Sequence, residues 1–268
     1  MASPYDVEDP NKVQGRDEVR LGERNLGALR LQRAIDALSN TTGRILLLGC
    51  GAGRYARALV RYLPGRVVIG GDLSRLALAE AVSAGSGPHY LAMDAQQLPF
   101  VAESFDAVLF LDVLEHVPEP DQLLSECARV LMPGGVLHYF LPLEDEPGTL
   151  YRLLRRDWPI PIHRWKRDHV GHIQRFSRGD VLRRTWAAGL PVEETSYSFH
   201  PVGQTHDILD YWHRERTAGG LGLLPLSAVK MITRVASIAT WRLAYLEDRL
   251  YRGPRFASGI HVTARKTG

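Results

Sequence analysis

The chain has 268 residues, 45% of them hydrophobic and 24% charged, with a formal net charge of +3. That balance excludes a fibrous, collagen-like or wholly disordered chain and suffices for one large α/β domain with its own core. Two cysteines, Cys50 and Cys127, exclude a disulfide scaffold and fit a reducing compartment, and the small net charge implies no bulk polyanionic partner, although a pI near 8.9 leaves room for local basic patches.

The first twenty residues, MASPYDVEDPNKVQGRDEVR, carry no apolar run of the secretory type, so the expectation is a cytoplasmic protein. Residues 1–15 read as flexible. Leu21, Leu26, Leu29, Ile35 and Leu38 predict a helix over Arg16–Leu38, within an N-terminal helical cap of residues 1–40. Arg44–Gly49 is a continuous apolar run, as in a parallel strand buried on both faces. A helix over Arg54–Leu63, a strand over Val67–Asp72 and a helix over Arg75–Ala84, capped by Ser74, follow. Strands are predicted at His89–Met93 and Phe105–Asp112, a helix at Pro120–Leu131 stopped by Pro133-Gly134-Gly135, and a strand at Val136–Leu141. The alternation argues a doubly wound α/β sheet over residues 41–200. Residues 142–177 break the rhythm and read as an inserted loop or lid. A helix at Arg178–Gly189 and a strand at Val192–Phe199 resume it. Residues 201–256 form a helical insertion, and residues 257–268 bring the terminal strand, Gly259–Arg265.

Gly49-Cys50-Gly51-Ala52-Gly53 joins the first core strand to its helix, where glycine permits a tight turn and a close approach to a ligand. Read from Gly51, it is also G-x-G-x-x-A, a variant of the dinucleotide fingerprint, and Asp72 suits the two ribose hydroxyls of any adenosine. A nicotinamide-dependent oxidoreductase and other adenosine-binding proteins both remain open at this point. Asp94 in Ala92-Met-Asp-Ala-Gln-Gln-Leu-Pro-Phe100, the segment Asp112-Val-Leu-Glu-His-Val-Pro-Glu-Pro120 and Leu131-Met-Pro-Gly-Gly135 separate them.

At those points the sequence resembles the class I S-adenosylmethionine-dependent methyltransferases, in particular the type 11 group related to ubiquinone and menaquinone methylases. The likeness is dense over 44–141 and resumes at His172–Gly189 and in the terminal strand. It implies a Rossmann-like seven-stranded sheet with an antiparallel last strand, helical insertions forming a substrate cap, and S-adenosyl-L-methionine as cofactor. It further implies that the backbone of Gly49, Cys50, Gly51 and Gly53 holds the methionine part, that Asp72 takes the ribose with Leu73 beside the adenine, that Asp94 and the Ala95 N–H meet the adenine, and that Leu111 and Asp112 lie near the sulfonium and the amine.

Methyl transfer from a sulfonium is an in-line displacement that needs alignment more than acid–base chemistry, and no metal is called for. A protonated O or N acceptor wants a base, and His116 and His172 are the candidates, each set against a bland role: His116 as a packed or capping ring, His172 with Arg175 as a latch for the insertion. His206 and His213 read as surface groups. Within 226–250, Val229, Ile232, Ala236, Ala239, Leu243, Leu246 and Leu250 make a seam. The expectation is that its Val229/Ile232/Ala236/Leu243 face packs on the protein and that 201–225 help enclose the acceptor. A dimer contact and a lipid-facing surface flanked by Lys230, Arg234 and Arg242 are the sharper readings. Trp158, Trp165, Trp212 and Trp241 are candidates for an apolar acceptor wall. No N/D-P-P-Y/F motif follows the fourth strand, so nucleic acid is disfavoured. The acceptor is expected to be a small or lipid-like molecule methylated at O, N or C. The alternatives are a nicotinamide oxidoreductase and a methyltransferase-fold protein that binds the cofactor without transferring methyl, as a partner subunit or a cyclase-type catalyst.

Overall fold

A computed structural model describes residues 8–10, 12–85, 87–220 and 222–268. The expected flexibility of residues 1–7 and 11, and Leu221 of the second insertion, lie outside them. The described part of the N-terminal segment is tied down: Glu8 accepts from the Arg75 and Leu76 N–H groups, the Ala52 N–H donates to Gln14 O, and Arg16 pairs with Glu80.

The first helix, α1 (Leu26–Leu38), starts ten residues later than the pattern predicts, because Asn25 in extended conformation accepts from the Ala28 N–H and fixes the start there. Then come β1 (Arg44–Leu48), α2 (Arg54–Tyr62), β2 (Val67–Asp72), α3 (Arg75–Ser83), β3 (His89–Ala92), β4 (Phe105–Leu111), a 3₁₀ turn at Leu114–His116, α4 (Pro120–Val130) and β5 (Leu131–Pro142). The Pro133-Gly134-Gly135 stop does not precede β5. It is looped out inside that strand, since Phe105 aligns with Leu131 while Ala107 aligns with Val136. The first insertion carries α5 (Leu150–Leu153) and α6 (Ile162–Val170). α7 (Arg178–Ala187), β6 (Val192–Ser198), α8 (Pro201–Thr217), α9 (Leu226–Leu250) and β7 (Gly259–Arg265) complete the chain.

Among the described residues seven strands form one sheet in the order β3-β2-β1-β4-β5-β7-β6, with β7 antiparallel to both neighbours. Apolar clusters cover both faces, which is why β1 and β4 read as unbroken hydrophobic runs. The strand order reverses between the parallel neighbours β1 and β4, and the carboxyl ends of these two strands open a crevice.

α9 has the predicted limits but not the predicted face. Val229 is buried and Ala236 half-buried, whereas Ile232 and Leu243 are exposed. Polar partners on α8 and before it set the rotation: His206 Nδ1 pairs with Thr240 Oγ1 at 2.8 Å, His213 Nδ1 with Thr233 Oγ1 at 3.0 Å, and His200 Nδ1 with buried Asp248 at 2.7 Å. His206 and His213 are therefore half-buried connectors rather than surface groups. Met231, Val235 and Ile238 are turned to solvent, each more than half exposed.

Candidate active site

The glycine loop sits at the mouth of the crevice. Gly49 and Gly51 have φ of 63° and 53°. A Cβ on Gly51 would stand 2.5 Å from Gln14 O, and one on Gly49 2.4 Å from Val113 Cγ2, so both positions are closed to larger residues. Gly53 is the N-cap of α2, and no side chain caps that helix. Asp72, the last residue of β2, accepts from the Gly51 N–H at 2.7 Å and the Ser74 N–H at 2.9 Å, bracing the loop with its carboxylate. Asp94 follows β3 and accepts from the Gln96 N–H. Leu73 is exposed beside Asp72, on the same edge of the sheet.

A cavity of about 380 Å³ extends from this loop beneath the insertions. Gly49, Cys50, Gly51, Leu111, Asp112, His116 and His172 line it, and α8 contributes Asp207, Tyr211 and Arg214. The loop, the ends of β4 and both candidate histidines thus meet in one space. Asp72, Leu73, Asp94 and Ala95 do not line it and flank it toward β3. Of the tryptophans, Trp165 and Trp212 line a separate, more apolar cavity of about 660 Å³ with Ile160 and Ile208, and Trp158 projects into solvent.

A buried ionic group adjoins the main cavity and lends it Tyr151, Lys166, His172 and Asp207. Glu144 is buried and accepts from His172 Nδ1 at 2.5 Å and His163 Nδ1 at 3.2 Å, and it pairs with Lys166 Nζ at 3.2 Å. Lys166 also pairs with Asp207 at 3.0 Å, which takes the Tyr151 hydroxyl. Burial pushes the Glu144 carboxyl up, but Lys166 and His172 outweigh it and hold it well below the ordinary carboxylate range. Burial opposes the charge on Lys166, yet Asp207 and Glu144 raise it well above the ordinary lysine value. His116 gives Nδ1 to Gly171 O at 3.1 Å and packs edge-on against His172, with ring centres 4.9 Å apart. Burial and the His172 ring lower its pKa to about 4. His172 bonds the segment after β5, as a latch would, and also faces the cavity.

Sequence reasoning singles out none of Glu115, Glu144, Tyr151, Lys166, Asp207 and Arg30. Glu115 alone had a local signal, since it adjoins His116 directly after β4. The others arrive from the insertions and from α1, and a buried ion pair leaves no periodic mark.

Glycines that admit no Cβ, an uncapped helix start, and carboxylates at the ends of successive strands form a donor and acceptor set suited to an adenosine joined to an amino acid. A nicotinamide-binding sheet of the parallel 3-2-1-4-5-6 kind has no place for β7 antiparallel between β5 and β6. Sheet order and crevice together define the class I methyltransferase fold.

Residues 46–139 match the methyltransferase domain family. Over 181 residues the chain is 36% identical to the ubiquinone biosynthesis O-methyltransferase of Agrobacterium fabrum, covering 63% of this chain and 66% of that one. Matches to the curated relatives span from 39% to 76% of their lengths. In fold, the chain is similar to the [4+2]-cyclase SpnF (TM-score 0.60, 20% identity, 90% of this chain and 81% of that one). It is likewise similar to a phosphoethanolamine N-methyltransferase of Haemonchus contortus in complex with S-adenosyl-L-methionine (TM-score 0.58, 20% identity, 90% and 53%). Residues 46–139 form a methyltransferase domain, which is similar to that of the ubiquinone methylases, and S-adenosylmethionine is its cofactor.

Proposed function

We propose that the protein transfers the methyl group of S-adenosylmethionine to a hydroxyl of a small, lipid-like acceptor. The observation that supports this reading is the single cavity in which the glycine loop, the end of β4 and the His116–His172 pair converge. The cofactor supplies an activated methyl on a sulfonium. In this reading the Gly49–Gly53 backbone and Asp112 hold its amino-acid part, Leu111 packs beside the sulfonium, and Asp72, Leu73, Asp94 and the Ala95 N–H hold the adenosine. α6 and α8 exclude water and align the acceptor, and such alignment can supply about 7–11 kcal/mol. The acceptor's proton leaves at the His116–His172 corner. A neutral His116 and a His172 backed by Glu144 suit that task better than N- or C-methylation requires.

The exposed Met231, Val235 and Ile238 of α9, interleaved with Lys230, Arg234 and Arg242, support docking on an anionic lipid surface, where a lipid-like acceptor resides. Among the described residues no helix is long and apolar enough to cross a membrane.

The test is incubation with S-adenosylmethionine and a panel of phenols, amines and activated carbon acids bearing short or long apolar tails, with S-adenosylhomocysteine measured by mass spectrometry. Turnover on tailed phenols, falling about 10²-fold or more in His172→Gln, supports the reading. Turnover only on amines or carbon acids overturns the O-transfer assignment. Cofactor binding with no turnover on any acceptor overturns methyl transfer itself.

A further inference from the structure

We infer that the cavity between α6 and α8 is a second ligand site, built for one small single-chain amphiphile with an anionic head, of the fatty-carboxylate class. Its volume of about 660 Å³ lies within the roughly 300–1,000 Å³ usual for small-molecule sites. Protein interiors are close-packed and leave few gaps larger than a water molecule, so an apolar space of this size against two packed helices asks for an occupant. Ile160, Trp165, Ile208, Leu209 and Trp212 supply its apolar walls.

The periodicity of α8 separates this space from the catalytic cavity. Ile208, Trp212 and Glu215 recur at helical spacing and form one stripe, which lines the second cavity. Asp207, Tyr211 and Arg214 repeat that spacing one residue earlier and line the catalytic cavity. α6 divides in the same way, since Trp165 lines the second cavity and Lys166 the catalytic one. The glycine loop, the end of β4 and the His116–His172 pair take no part in the second lining. The two helices are a partition with a different chemistry on each side.

The polar groups in the wall decide the head of the ligand. Trp165 is 7% exposed, and its indole Nε1 makes no hydrogen bond to any described residue. Arg216 donates from Nη2 to Leu224 O at 2.8 Å, while its buried Nε and Nη1 have no acceptor among the described residues. Buried donors left unpaired are costly, and a wall that keeps them from two side chains suits a ligand that brings acceptors. Among the described residues the one acid in the lining, Glu215, is already engaged: it pairs with His169 Nε2 at 2.9 Å and lies 3.7 Å from Arg164 Nη2. With Arg164 and Arg216 both present, the lining holds one cation in excess. An ionised carboxylate meets the guanidinium fork of Arg216 with two acceptor oxygens, and its alkyl chain covers the isoleucines and tryptophans. A neutral amphiphile leaves the guanidinium unpaired, and a cationic one is repelled.

The site goes beyond the methyl-transfer reading and stands without it. Its occupant braces from behind the wall that carries Lys166, Asp207 and Tyr211.

The test is calorimetric titration of the full chain with decanoate, kept below its micelle concentration, with and without saturating S-adenosylhomocysteine. The expected result is one decanoate per chain under both conditions, with decanol and decyltrimethylammonium at least about tenfold weaker, the equivalent of one lost charge-assisted hydrogen bond. Arg216→Gln should weaken decanoate about tenfold and leave decanol unchanged. Ile208→Trp, which fills the cavity, should weaken both. S-adenosylhomocysteine affinity within a few-fold of the parent certifies folding, and Arg216→Gln, a change at a half-buried position, serves if Ile208→Trp does not fold. Decanoate binding that is absent, or unchanged in both variants, overturns the site. Decanol bound as tightly as decanoate overturns the anionic head. Competition between decanoate and S-adenosylhomocysteine places the probe in the catalytic cavity and overturns a second site.

Discussion

Arg30 donates from Nη1 to Asp112 Oδ2 across 2.5 Å, joining α1 to the end of β4 at the cavity wall. The guanidinium also lies 4.0 Å from the centre of the Phe140 ring, and Asp112 holds a left-handed backbone, φ 56°, with its N–H on Phe140 O. Arg30 therefore orients a carboxylate assigned to the cofactor's amine. Arg30→Met keeps an apolar stem over Phe140 and releases Asp112. S-adenosylhomocysteine affinity should fall about fivefold or more, the equivalent of one charge-assisted hydrogen bond partly lost. Calorimetry showing unchanged affinity would make the pair purely structural.

Asp72 braces the Gly51 and Ser74 N–H groups, and under the proposed function its remaining lone pairs take the ribose hydroxyls. Asp72→Ala should weaken S-adenosylhomocysteine binding by about 1.5–3 kcal/mol, with Asp72→Asn intermediate. Retained affinity in Asp72→Ala, or tight NADH binding in its place, sinks the assignment.

Lys166 is buried between Glu144 and Asp207. Replacing it with Met strands two carboxylates, and urea unfolding should show a loss of about 3–5 kcal/mol. Lys166→Met combined with Asp207→Asn should recover part of that, since the two residues share one interaction. Simple additivity of the two losses would show that they do not act as a pair.

Stability should fall on acidification. His138 is buried in β5 with Nδ1 on Thr263 Oγ1, and burial, helped by Arg33, lowers its pKa to about 3. His261 on β7 is likewise held well below the ordinary value. In the unfolded chain both take a proton near pH 6.5, so between there and their folded values the unfolded state binds more protons. The stability they carry is complete above about pH 6.5 and is lost as pH drops, at about 1.4 kcal/mol per pH unit for each such histidine. His138→Leu should remove one such slope in urea titrations compared at about pH 7 and about pH 5. A wild-type profile flat across that range contradicts the burial argument.

The outward face of α9 predicts that wild-type protein floats with anionic vesicles and that Val235→Glu with Ile238→Glu does not, while cofactor affinity stays unchanged. Should the same double variant instead split a dimer in sedimentation, without any vesicle binding in the parent, the face belongs to a second copy of the chain.

What could be read from sequence and what could not follows the range of the forces involved. β1, β2, β4 and β7 were legible because an apolar run or a strict alternation is written locally. The glycine loop with Asp72 was legible for the same reason, since a left-handed turn admits few residues. The start of α1 was misplaced because Leu21 fits the helical period, yet Asn25, four residues on, supplies the cap. The rotation of α9 was unreadable from its own seam, because Thr233, Thr240 and Asp248 are claimed by histidines 20 to 48 residues away. The Glu144–Lys166–Asp207 group was hidden for a related reason. Nothing in a lone charged residue says that its partner lies on another helix.

The fastening of residues 12–16 across the glycine loop has a meaning in time. Gln14 O holds the Ala52 N–H, and Arg16 is clamped to Glu80 by two bonds of 2.6 and 2.7 Å. A strap lying over the loop is placed to slow the exchange of a spent cofactor for a fresh one. Cutting the clamp with Arg16→Ala should speed release of S-adenosylhomocysteine in stopped-flow and raise kcat even as the cofactor is held less tightly.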